Sequence, residues 1–149
     1  MPDNDPHNSD LYQILTTSRD LHSLWQAQPA KGQAGQTLTY AERGVLESLV
    51  RDGAQTVPGI ARERLVSRQH IQKLVDKLAR KRLVELRTNP AHKTSPLVDA
   101  TIDGERAYTV AASDEAVVLS AIAPKLATAD LGSALAALRA LVEALKAAR

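Results

Sequence analysis

Apolar positions recur along most of this chain at three- and four-residue spacing, the period of helices buried on one face. Leu11, Ile14, Leu15, Leu21, Leu24 and Trp25 predict a first helix over residues 9–28, with Ser9 as its N-cap. Val45, Leu46, Leu49 and Val50 mark a second. It opens at Thr39-x-x-Glu42, a capping-box pattern, and Asp52-Gly53 stops it. A short extended piece, "QTV", precedes a brief third helix with Pro58 in its first turn and Ile60 and Ala61 inward. The fourth helix spans residues 67–81 from an N-cap at Ser67.

The period then changes. Leu83-Val84-x-Leu86 and Pro96-Leu97-Val98 bracket a polar segment containing Asn89-Pro90. That is a β-hairpin with a long tip. A fifth helix is expected from residue 103 to about residue 122, weak at "ASDEA" and ended by Pro124. A last helix, over about residues 129–147, carries Leu131, Leu135, Leu138, Val142 and Leu145 at 4-3-4-3 spacing. This seam suits a partner helix and makes the five residues dimerisation candidates. Residues 1–8 read as disordered and residues 28–36 as a loop.

Composition narrows the picture. A chain of 149 residues is one domain's worth, and 44% hydrophobic content can fill a core. Aromatics make up 3% and Phe is absent, so that core is aliphatic and favours helix. The absence of cysteine excludes disulfides, thiolate metal sites and thiol sensing. No apolar run is long enough for a membrane span. The N-terminus lacks the basic and apolar regions of a signal peptide, so a cytoplasmic protein is expected.

Charge is more informative than the net +2 suggests. Residues 55–95 hold ten Lys/Arg against Glu63, Asp76 and Glu85, a local +7 that leaves −5 for the rest. A basic middle between acidic flanks fits a polyanion-binding module on a scaffold. At 100° per residue, Ile71, Leu74, Val75 and Leu78 share the buried face of the fourth helix. Its N-terminal half turns Ser67, Arg68, Gln69, His70, Gln72 and Lys73 outward. Gln suits adenine, Arg and Lys suit guanine, and Ser suits phosphate, so these are the candidate DNA-reading residues. The basic residues at 77–82 read as general electrostatics. The tight connection at Leu65-Val66, with Ala61, Ile71 and Leu74 at close-packing spacing, describes a helix-turn-helix. The hairpin after it makes the motif winged.

Other chemistries find little support. His7, His22, His70 and His92 form no pair at metal-ligand spacing. No glycine-flanked nucleophile or glycine-rich phosphate loop exists, and Ser67 is explained as an N-cap. The expectation is no enzyme, no metal and no cofactor.

The runs "TVPGIARERLVSRQHIQKLVDKLARKRLVE" (56–85) and "TNPAHKTSPLVDATIDGERA" (88–107) resemble the MarR family of bacterial transcriptional regulators. The resemblance is good from residue 39 to 107, and the flanking helices agree in placement. It implies a mainly α fold with a small β-hairpin wing: a winged helix-turn-helix lobe (38–107) and a helical dimerisation region (9–28 plus 103–148), all within one domain (1–149). It further implies a homodimeric transcriptional repressor that binds double-stranded DNA sequence-specifically, at a pseudo-palindromic operator. Ser67, Arg68, Gln69, His70, Gln72 and Lys73 fall on the recognition helix. Arg87 lies on the strand into the wing, and Lys93 and Thr94 lie in the wing. Members of the family bind small-molecule effectors between the dimer helices and the DNA-binding lobe, which makes His22, Trp25, Tyr40 and Arg43 pocket candidates.

The chain also departs from the family. Leu65 stands in the turn where Gly is frequent, and Arg64 replaces a commonly apolar residue, which implies a rearranged turn. In the wing, His92 stands where Asp is usual and Thr94 where Arg is usual. Wing contacts are therefore expected to be mainly phosphate-directed, through Lys93. The altered wing leaves a second reading open, a winged-helix protein–protein adaptor that no longer reads DNA.

Overall fold

A computed structural model describes residues 9–28 and 37–148. The segment 1–8, expected to be disordered, and most of the 28–36 loop lie outside the described residues. The elements run α1 (Asp10–Gln26), α2 (Tyr40–Asp52), β1 (Gln55–Thr56), α3 (Val57–Glu63), α4 (Arg68–Arg80), β2 (Val84–Arg87), β3 (Leu97–Ala100), α5 (Ile102–Ile122) and α6 (Leu131–Ala147). A mainly helical chain with a small antiparallel wing is what the pattern predicts. The "QTV" piece does more than expected, because β1 joins the hairpin to make a three-stranded sheet ordered β1-β3-β2. Gln55 pairs with Val98, and Val84 with Ala100.

The chain divides into two compact units, residues 1–115 and 116–149. The first holds the core. Leu46 and Leu49 of α2, Ile60 of α3, Ile71, Val75 and Leu78 of α4, and Val98 of the central strand are all buried together. Every buried member of this cluster is aliphatic, in keeping with the aromatic-poor composition. Burying each larger side chain is worth about 1.5–3 kcal/mol of transfer free energy.

Local chemistry sets the helix ends. The Ser9, Thr39, Thr56 and Ser67 hydroxyls each accept from a backbone N–H at the third helical position. Thr39 and Glu42 complete their capping box reciprocally, at 3.2 Å and 2.9 Å. Both helices of the helix-turn-helix end in Schellman motifs. After α3, the Val66 N–H donates to the Ala61 carbonyl and Leu65 N–H to that of Arg62. After α4, Leu83 N–H donates to the Leu78 carbonyl and Arg82 N–H to that of Ala79. The motif places its pivot in the left-handed region, and here the pivots are Leu65 (φ 57°) and Arg82 (φ 60°) rather than glycine. The turn after α3 is thus not rearranged by Leu65, which adopts the backbone conformation glycine favours.

Three tertiary ties fix the helix-turn-helix in the lobe. Arg64, the C-cap of α3, donates from Nη1 to the Gly44 carbonyl of α2 at 2.8 Å. Its guanidinium lies over Gly44, where an added Cβ would collide with Nη2. Lys81, the C-cap of α4, reaches Glu42 at 2.9 Å and 3.0 Å and the Thr37 carbonyl at 3.2 Å. Thr101 donates its hydroxyl to the Arg82 carbonyl at 2.8 Å and accepts from Gly104 N–H at 3.0 Å. Lys81 therefore corrects the grouping of residues 77–82 as general electrostatics, since it is half of a largely buried ion pair.

Beyond the lobe, α5 runs unbroken through "ASDEA". It ends at Ile122, where the pattern and Pro124 place its end, and Pro124 stands in the first turn of a 3-10 helix (Ala123–Leu126) that follows. Asp130 caps α6, accepting from the Ser133 N–H at 3.0 Å.

Candidate nucleic-acid interface

The interface is built outward from the apolar stripe of α4. Ile71, Leu74, Val75 and Leu78 are buried as the periodicity predicts. Anchoring one face this firmly determines what the other presents. Ser67, Arg68, Gln69, His70, Gln72 and Lys73 are all exposed. The Ser67 oxygen caps the helix, accepting from His70 N–H at 3.1 Å, which leaves its O–H free to donate. No acid stands in the first turn of α4, so nothing offsets the positive end of the helix dipole there. The one acid in the helix is Asp76, and it accepts from Gln72 Nε2 at 2.8 Å.

A cleft of about 400 Å³ lies between α4, the start of α3 and the wing. Val57, Pro58, Leu86 and Pro96 give it apolar walls, and Arg68, Gln69, Gln72 and Thr94 line it with polar groups. The reading face of α4 and the wing thus border one concavity.

The wing tip has an organiser that the sequence pattern does not single out. Asn89 is buried; its Nδ2 donates to the Ser95 carbonyl at 2.9 Å and its Oδ1 accepts from Ala91 N–H at 3.1 Å. Two successive turns, His92 N–H to Asn89 and Ser95 N–H to His92, complete the tip. His92, Lys93 and Thr94 project from it, exposed. The signal was present, since Asn-Pro is a turn initiator whose Asn side chain bonds backbone two residues on. Arg87 stands differently. It is ion-paired with Glu85 at 2.9 Å and Asp99 at 2.7 Å, so its charge is locally compensated.

Three of the four pocket candidates come together. The His22 and Tyr40 rings meet edge to face at 5.4 Å, and the Arg43 guanidinium lies 5.2 Å from the Tyr40 ring centre. Arg43 is buried and ion-paired with Glu115 of α5. Among the described residues, its Nε is the one buried side-chain polar atom without a hydrogen-bond partner. Trp25, half-buried on α1, has no contact with this trio among the ring interactions of the described residues. Glu115 was missed because it lies far along the chain in the weak part of the fifth helical pattern.

The dimerisation candidates stand on α6, where no residue is buried in the single chain. Leu131, Leu135, Val142 and Leu145 are exposed and Leu138 is half-buried. On α1, Leu11, Ile14, Leu15, Leu21 and Leu24 are likewise exposed. Among the described residues, no cluster of His, Asp and Glu could hold a metal ion, and no single helix is long and apolar enough to cross a membrane.

A short helix, a Schellman turn, an amphipathic basic helix and an antiparallel wing together define a winged helix-turn-helix protein. The MarR family model matches residues 36–93. An uncharacterized protein of Mycobacterium tuberculosis is 39% identical over 107 residues, covering 72% of this chain and 75% of that one. Among solved structures, the MarR family transcription regulator SP03579 is 26% identical with a TM-score of 0.77, covering 91% of this chain and 90% of that one. PcaV of Streptomyces coelicolor, solved with its natural ligand, shares the fold at 18% identity with a TM-score of 0.73, covering 97% and 99%. The chain belongs to the MarR family and is a DNA-binding transcriptional regulator of the winged-helix type.

Proposed function

We propose that this protein is a homodimeric, ligand-responsive repressor acting in the cytoplasm. Its two copies of α4 enter the major groove at half-sites of a pseudo-palindrome about one helical turn apart. The carrying observation is the exposed, acid-free first turn of α4, with Ser67, Arg68, Gln69, His70, Gln72 and Lys73 held outward by four buried aliphatic residues. Lys93, with Thr94 beside it, meets phosphate from the wing. Arg87 acts mainly as a strut, because Glu85 and Asp99 already neutralise it.

The exposed apolar seam of α6 supports the homodimer, since contiguous exposed apolar surface marks an interface, and α1 carries an exposed apolar face of its own. The His22–Tyr40–Arg43 group supports effector binding, as an aromatic and cationic cluster with an unsatisfied buried Nε. A ligand favouring a dimer with misplaced recognition helices lowers DNA affinity by population shift.

Selection from a random DNA pool followed by footprinting tests this reading. Enrichment of a two-fold site with a steep salt dependence is expected. No enrichment with a flat salt response would instead fit the adaptor reading.

A further inference from the structure

We propose that Asp76 is a positioning residue that sets Gln72 to accept adenine and reject guanine; this rests on the DNA-reading role of α4 given above. Gln72 stands on the exposed face of α4 and lines the cleft beside Arg68, Gln69 and Leu86. Asp76, one turn further on, accepts from Gln72 Nε2 at 2.8 Å. Among the described residues Asp76 forms no ion pair, although Lys73, Lys77 and Arg80 share its helix.

A carboxylate only accepts, so this bond fixes which way the Gln72 amide faces. One of the two amide protons is committed to Asp76. What remains for a base edge is one donor and the Oε1 acceptor. Adenine offers the complement in the major groove, the N7 acceptor and the N6 amino donor. Guanine offers two acceptors, N7 and O6, and would need both amide protons. Asp76 withholds the second. A purely local role would be a helix-surface pair that supports α4 slightly and leaves base preference untouched.

The test uses the full-length protein with Asp76→Ala, Asp76→Asn, Gln72→Ala and the Asp76→Ala/Gln72→Ala double variant. Each is put through random-pool selection, then titrated on the selected site and on the same site carrying guanine for adenine where Gln72→Ala relaxes preference. Wild type should prefer adenine there by about tenfold or more, and Asp76→Ala should cut this to about twofold with other positions unchanged. Asp76→Asn keeps a carbonyl acceptor and should retain the preference. In the Gln72→Ala background, Asp76→Ala should change nothing further at that position. Unchanged discrimination in Asp76→Ala would overturn the proposal, as would an equal change at every position or a loss in Asp76→Asn. Gln72→Ala relaxing no position would also overturn it. Wild type enriching no sequence would instead remove the DNA-reading role beneath it. Asp76 is exposed, and an unchanged thermal midpoint verifies that each variant folds.

Discussion

Lys81 and Glu42 form an ion pair that ties the end of the fourth helix to the start of the second. The Lys81 ammonium lies 2.9 Å and 3.0 Å from the two oxygens of a Glu42 carboxylate that is 3% exposed. Removing one partner strands a buried charge, so Lys81→Met should cost about 3 kcal/mol in urea unfolding. Adding Glu42→Gln, which keeps the capping box, should recover more than half of that loss. Recovery below a tenth would show that Lys81 acts through something other than this pair.

The same pair predicts an acid limb. Burial alone pushes the Glu42 carboxyl up, but the Thr39 backbone N–H and the Lys81 ammonium outweigh it and hold the group below its ordinary value of 4.5. Its stabilising effect is therefore complete above that value and is lost as pH falls through the lower folded-state value. Glu42→Gln should flatten the fall of stability with acid below pH 4.5, measured as urea midpoints across the range.

Leu65 and Arg82 hold left-handed backbone that costs an L-residue about 1–2 kcal/mol. Part of the relief is offset by glycine's greater freedom in the unfolded chain. Leu65→Gly and Arg82→Gly should each stabilise by about 0.5–1 kcal/mol, read as a rise in thermal midpoint. A fall at either position would mean its side chain contributes more than its backbone strains.

Gly104 behaves in the opposite way. A Cβ there would overlap the Leu83 carbonyl oxygen, a backbone atom with little room to yield. Gly104→Ala should lower stability by about 3 kcal/mol or more, among the largest single-site losses. Gly132→Ala is the control: its nearest neighbour would be 3.5 Å away and it lies in a helix, so a small gain is expected.

The wing and the proposed dimer seam separate by readout. Lys93→Ala should weaken all DNA sequences alike and reduce the salt slope by about one. Asn89→Ala should do the same by loosening the tip, with a stability loss of about 1–2 kcal/mol from its lost buried bonds. Leu135→Asp should yield monomers in sedimentation and abolish DNA binding together. A stable monomer with undiminished DNA affinity would refute the seam.

The fourth helix was legible in sequence because what defines it is local: a cap at Ser67 and an apolar stripe of helical period. The sites at Asp99 and Glu115 were not, since Arg87 and Arg43 choose their partners through tertiary geometry. Lys81 was hidden for the same reason, its partner lying 39 residues earlier. Leu65 looked like a disrupted turn because residue preference favours glycine there. The Schellman motif forms there all the same, with its two backbone hydrogen bonds closing over a left-handed leucine. The strand pairing of Gln55 and Thr56 escaped a two-residue pattern too short to show alternation.

The fourth helix is clamped at both ends, by the Leu65 turn before it and by Lys81, Arg82 and Thr101 after it. Such a helix meets its ligand with little conformational entropy left to surrender, so association should carry no heat-capacity signature of folding beyond that of the area buried. The effector response proposed above would accordingly carry the helix as a rigid body, not melt or bend it.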